Sequence, residues 1–243
     1  MQLKATAIDR LVVDLDDPAA DAAVLAWATR EAALRQCTLQ VLANRSNSVP
    51  EFLGEAVDAR LLIVGSPLRR GDGRRSSCPI VIVRGTRRPR LRRIVVGVDG
   101  SNASANALRW AVAEATRYAA TVTVVHAWQQ PAQDDRSLRG GDLRRADAVC
   151  IADLAADLCE LHSQPLIQRR AVNGPAADVL IAESADADLL VVGSRSSGYR
   201  TLQFGSVALE TTERADCPVV VVQPRLLRSG TGDPSDATRT RRS

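Results

Sequence analysis

The sequence predicts an α/β protein made of two parallel-sheet domains in tandem, the first of them cut down. Three observations carry this: an internal repeat, strands written as near-continuous Val/Ile/Leu runs, and helical periodicity between those runs. The repeat comes first. Residues 11–44 align without a gap on 94–127 at an offset of 83, beginning LVVDLDDPAADAAVLAWATREA against IVVGVDGSNASANALRWAVAEA. Val12/Val95, Val13/Val96, Asp16/Asp99, Leu25/Leu108, Trp27/Trp110 and Glu31/Glu114 coincide. The offset then rises to 128, where DARLLIVGS (58–66) matches DADLLVVGS (186–194). It rises again to 139, where CPIVIV (78–83) matches CPVVVV (217–222). The first copy therefore lacks 45 residues in its middle and 11 more after its VGS.

The intact second copy gives the element order. RRIVVGVDG is a strand ending at a turn. Residues 101–119 put Leu108, Ala111, Val112 and Ala115 on one helical face. TVTVVHAW (121–128) is the second strand, and a long polar loop follows. A helix then runs to about His162, with Val149, Cys150, Leu154, Leu158 and Leu161 inward. PLIQRRAV is a shorter strand. PAADVLIAESA is a helix supplying Val179, Leu180 and Ile181 to the core. ADLLVVGS (187–194) reads as a central strand, 206 to about 215 as a short helix, and CPVVVVQ as the last strand. In such a sheet, ligands sit beyond the carboxyl ends of the strands at the switch point. That singles out VDGS after the first strand and VGSRSSG after the fourth.

Composition narrows the function classes. The 243 residues are 45% hydrophobic and 25% charged, an ordinary globular balance. No apolar run reaches about eighteen residues, so a membrane span is not expected. The opening MQLKATAIDRLVVDLDD lacks a basic stretch before a long apolar run, and the cytoplasm is the expected location. Cys37, Cys78, Cys150, Cys159 and Cys217 form no CxxC pair, which favours buried free thiols over a zinc site or disulfide framework. The net charge is +4, but the arginines cluster in connectors, RGTRRPRLRR (84–93), PLRRGDGRR (67–75) and the tail from Arg225. With only 3% aromatics there are few stacking platforms, so nucleic acid is not an expected partner.

VVGVDGS, VVHAW, DLLVVGS, the later GSV and the closing CPVVVV, in that order and spacing, resemble the universal stress protein family. The resemblance covers 92–224 and, in reduced form, 8–85. It implies two Rossmann-like domains of the adenine nucleotide alpha hydrolase-like type. Their expected bounds are 1–85 (degenerate), a basic linker 86–91, 92–224 (intact), and a disordered tail 225–243. Members that bind ATP carry G-x2-G-x9-G-[ST] after the fourth strand. Glycines let backbone N–H groups approach phosphate oxygens, and the final G-S opens a helix whose N-terminus favours anions. Here the segment is Gly193-Ser-Arg-Ser-Ser-Gly198, then six residues, then Gly205-Ser206-Val207. Ser196 stands where the motif has its second glycine, and the interval to Gly205 is one residue short.

By position, the resemblance places Asp99 against the adenosine moiety, with Ala127 and Val192 making backbone contacts to it. Gly193, Arg195, Ser196 and Gly198 line the phosphates and ribose. Gly205, Ser206 and Val207 present helix N-terminal amides. The expected ligand is ATP, with or without Mg2+. Simpler roles compete with these: Asp99 as a helix cap, Gly193-Ser194 as a tight turn, Gly205-Ser206 as an ordinary N-cap. His126 reads as a packed core histidine, His162 as a partner of a helix C-terminus, and Trp27 and Trp110 as packing residues.

The first copy keeps Asp16 but has Pro18 in place of Ser101 and no second G-S, so it is not expected to hold nucleotide. Its missing strand leaves an edge to be covered. The resemblance suggests the cover: the two last strands, CPIVIV and CPVVVV, paired antiparallel within one chain, as homodimers of the family pair theirs. A homodimer is the other arrangement open to this chain. No GxxxxGK[ST] loop and no pair of base and nucleophile appear, so catalysis beyond weak ATP hydrolysis is not expected. Two functions remain: an ATP-binding sensor or regulator of the stress response, and an interaction module that has lost its nucleotide.

Overall fold

The computed structural model describes residues 10–15, 18–42, 59–65, 78–84, 92–129, 166–194 and 204–223. Its elements are β1 (Arg10–Asp14), α1 (Pro18–Arg35), β2 (Thr38–Leu42), β3 (Leu61–Val64) and β4 (Ile80–Ile82), followed by β5 (Arg93–Gly97) and α2 (Asn102–Tyr118). Then come β6 (Thr121–Trp128), β7 (Ile167–Asn173), α3 (Ala176–Ser184), β8 (Leu189–Gly193), α4 (Ser206–Arg214) and β9 (Val219–Val222). The predicted helix ending near His162, the linker 86–91 and the tail 225–243 lie outside the described residues.

The strands form one sheet in the order β2-β1-β3-β4-β9-β8-β5-β6-β7. Among the described residues, pairings are parallel except for the joint between β4 and β9, which is antiparallel. Parallel strands with both faces covered can be apolar at every position, which explains the Val/Ile/Leu runs. Alternate residues divide between two cores. Leu11, Val13, Ile63, Val96, Val124 and Val220 face α1 and α2, where they meet Trp27, Ala28, Leu108 and Ala111. Val12, Leu62, Ile82, Val95, Leu190 and Val221 face the other way, where they meet Val179, Leu180 and Ala208. Each fully buried Leu, Ile or Val side chain contributes about 1.5–3 kcal/mol. Trp110 packs against the first core, as expected for both tryptophans. Ile181 is only half-buried beside its buried neighbours Val179 and Leu180.

Two expectations need correction. The edge left by the missing strand and the edge joined to the C-terminal strands are different edges. A fifth N-terminal strand in the place that β7 takes beside β6 would lie beyond β2, and β2 ends the sheet, with Val41 44% exposed. The C-terminal strands join at β4, at the opposite side. His126 is half-buried rather than part of either core. Its Nδ1 donates to the Val98 carbonyl at 2.7 Å, so the ring ties the end of β6 to the end of β5.

Among the described residues no helix is long and apolar enough to cross a membrane. Cys78 and Cys217 are buried and Cys37 is half-buried.

Candidate functional site

At the carboxyl ends of β5 and β8 the connections part. The chain leaves β5 for α2 on one face, and leaves β8 for α4 on the other. A crevice opens there, as it does at the switch point of any open parallel sheet. A cavity of about 360 Å3 occupies it.

Each wall has a local cause. Gly97, Val98 and Asp99 come from the end of β5, Val125 and Ala127 from β6, and Val192 and Gly193 from β8. Ala176 and Leu180 of α3 close one side, and Gly205, Ser206, Val207 and Ala208 bring the start of α4 to another. The turn after β5 is held by side chains. Gly100 has a positive φ of 79°, which suits a residue without a Cβ. The Ser101 N–H donates to Asp99 Oδ1 at 3.0 Å. Ser101 is the N-cap of α2, and its hydroxyl accepts from the Ser104 N–H at 3.2 Å. Asp99 therefore does not cap the helix. It braces the capping residue and keeps its exposed carboxylate at the rim.

Gly193 is set by a close approach. A Cβ there would stand 2.8 Å from the carbonyl carbon of Ala103 and 3.0 Å from the Ser104 nitrogen, both backbone atoms of the first turn of α2. Backbone cannot swing aside as a side-chain end can. Gly193→Ala is expected to destabilise the protein by about 1–3 kcal/mol, read as a lower urea midpoint with an unchanged slope. An unchanged midpoint would mean that the turn yields freely.

The start of α4 is pinned by the Gly205 N–H donating to the Ser194 carbonyl at 2.9 Å. Gly205 is the N-cap and offers no side-chain cap. The helix's own ladder begins with the Leu209 N–H on the Gly205 carbonyl. The amides of Ser206, Val207 and Ala208 thus have no acceptor within the helix, and all three residues line the cavity. Unsatisfied amides and the positive end of the helix dipole together favour an anion.

Seven of the ten residues expected from sequence line this one cavity: Asp99, Ala127, Val192, Gly193, Gly205, Ser206 and Val207. Arg195, Ser196 and Gly198 lie outside the described residues. Sequence reasoning did not assign Gly97, Val98, Ser104, Val125, Ala176, Leu180 or Ala208 to the site. Gly97 carried a signal, since the strand end VVGVDG holds two glycines and only the second was expected to turn. Its Cβ would lie 2.7 Å from Leu180 Cδ1, so its smallness lets α3 close over the cavity. Asp99 is the one titratable side chain among the described lining residues. Those walls can bind, orient and exclude water, with one carboxylate at the mouth.

Comparison with known proteins gives the family. Residues 90–223 match the family model described as the universal stress protein family. The Mycobacterium tuberculosis universal stress protein Rv2624c is 34% identical over 143 residues, 57% of this chain and 50% of that protein. The chain thus spans half the length of that relative. A second universal stress protein of the same organism, Rv2623, is 30% identical over 199 residues, 74% of this chain and 66% of the relative. The structure of a universal stress protein from Archaeoglobus fulgidus covers 89% of this chain and 88% of its own, with a TM-score of 0.55 at 15% identity, a likeness of fold. The chain belongs to the universal stress protein family.

Proposed function

We propose that the 92–224 half binds an adenine nucleotide, ATP in the first instance, with or without Mg2+, and that the protein serves the stress response as a sensor or regulator. One observation carries the reading: an uncapped helix N-terminus, that of α4, opens into a small-residue cavity at the switch point. Phosphate oxygens fit the amides of Ser206, Val207 and Ala208. The base and ribose fit the slot between Ala127, Val125 and Val192, with Asp99 at its rim. In this reading residues 1–85 are a degenerate copy without nucleotide. The β4–β9 joint then pairs the two copies inside one chain, where a homodimer would use two chains. The cytoplasm is the proposed place of action.

Equilibrium titration of the whole chain with ATP, ADP and AMP tests the reading. Saturable binding at millimolar concentration or below is expected, weakening as phosphates are removed. Asp99→Ala should weaken it by about tenfold, the worth of one hydrogen bond to a charged group. No saturable binding of any of the three would favour the second reading, an interaction module of the same family without a nucleotide.

A further inference from the structure

Away from the cavity, the two long helices meet through charge. Arg35 at the end of α1 lies between two buried carboxylates. Its Nε donates to Glu31 Oε1 at 2.8 Å, and its Nη1 and Nη2 donate to Glu114 Oε1 and Oε2 at 3.2 and 2.6 Å. The Tyr118 hydroxyl donates to Glu31. Glu31, Arg35 and Glu114 are 3%, 9% and 5% exposed, so the cluster is sealed from water.

The repeat gives this cluster a meaning. At the offset of 83, Glu31 is the counterpart of Glu114, and Arg35 is the counterpart of Tyr118. The copies thus share the acid and differ in the residue four positions on, arginine in one and tyrosine in the other. The sheet joint obeys the same symmetry. Val81 pairs directly with Val220, and these are counterparts at the offset of 139. A two-fold relation between the copies therefore passes between them. Two C-terminal halves from separate chains, joined β9 to β9 in the same way, would place Val220 opposite Val220. They would also bring two Glu114 and two Tyr118 together with no guanidinium between them. Arg117 lies 3.7 Å from Glu114 with its side chain 37% exposed; a pair of C-terminal halves would hold one such arginine per glutamate, but at that distance and exposure it does not replace the two hydrogen bonds that Arg35 gives Glu114. Two buried carboxylates with no cation between them are strongly disfavoured.

We propose that Arg35 is a pairing selector: it makes the β9 edge of the C-terminal half specific for the N-terminal half of its own chain and excludes a second C-terminal half. A pair of N-terminal halves would be balanced, with two arginines for two glutamates, yet it would leave both C-terminal halves without a buried cation. The N-to-C pairing is the one that serves every copy. The truncated copy, which keeps little else of a binding site, thereby has a role as a dedicated subunit. This rests on reading the β4–β9 joint as internal pairing, and the experiment separates the two.

Cysteine cross-linking of the whole chain, under mild oxidation and against a background of the five native cysteines, provides three arms. Val81→Cys/Val220→Cys should cross-link within one chain, since directly opposed residues of antiparallel strands lie within disulfide reach. Failure there overturns the pairing reading itself. Val220→Cys alone should give little chain-to-chain dimer. Adding the exchange Arg35→Tyr/Tyr118→Arg keeps the composition of the internal cluster but gives each C-terminal half its own guanidinium, and the dimer cross-linked through Val220→Cys should rise several-fold. An equal dimer fraction with and without the exchange overturns the selector. Thermal unfolding guards against misfolding. The exchange should recover most of the Tm lost in Arg35→Tyr alone, and no recovery also counts against the selector.

Discussion

Arg35→Met is expected to lower the unfolding free energy by about 3–5 kcal/mol, the cost of removing one partner from a buried ion pair. Methionine keeps the apolar stem, so most of the loss is electrostatic. The two acids are left facing each other, with only the Tyr118 hydroxyl and the partly exposed Arg117 nearby. In the native protein burial opposes the charge on Arg35, but Glu114 and Glu31 more than offset it and hold its pKa above the ordinary value. Burial likewise pushes the Tyr118 hydroxyl up, helped by Glu31. Glu114 is also raised, by burial first, against the pull of Arg35.

The pH dependence follows from that last shift. A raised carboxyl pKa means that the folded state binds more protons than the unfolded chain between the two values. Stability from Glu114 is therefore full below its ordinary value of 4.5 and falls as pH rises through the raised one. Without Arg35 only the partly exposed Arg117 opposes burial, and the pKa climbs further. The fall in stability should then extend to higher pH in Arg35→Met than in the native protein. Arg35→Met/Glu114→Gln should flatten the profile and regain part of the loss. Urea unfolding at a series of pH values from about 4 to about 8 would read both. A parallel, uniformly lowered profile would show that Arg35 acts through packing alone.

The cluster also marks where sequence reasoning stops. Val-rich strands, the α2 face and the site glycines are written in local patterns, because a strand buried on both sides and a helix with one buried face each impose a period. Glu31 and Glu114 were visible as repeat counterparts. Arg35 was not, since its meaning depends on a helix from the other copy 79 residues away being laid beside it. The misplaced edge has a similar cause. Strand order is a property of the whole sheet, and nothing local in TLQVL tells which side of β1 it takes. Ser104 escaped notice because its role is set by the cap at Ser101, whose hydroxyl it approaches at 3.4 Å while bonding to the Ser101 carbonyl. Asp99 does two things that its place in the sequence does not separate: its carboxylate accepts from the Ser101 N–H at the cap, and it lines the mouth of the cavity.

Ser206→Pro isolates the feature on which the nucleotide reading depends. Ser206 is the first residue of α4, the position where proline is best tolerated in a helix, because the missing N–H has no intrahelical acceptor there. Gly205 before it has φ −71° and ψ 160°, the extended conformation that a residue preceding proline prefers. The substitution therefore removes one amide at the cavity wall and leaves the helix intact. A hydrogen bond to a charged acceptor contributes about 1.5–3 kcal/mol, so ATP affinity should drop by about 10- to 100-fold. The Tm without nucleotide should stay unchanged. Ser206→Ala separates the hydroxyl from the amide and should lose less. If Ser206→Pro binds ATP as tightly as the native protein, the phosphates do not rest on the start of α4, and the anion site must be sought among residues 195–203.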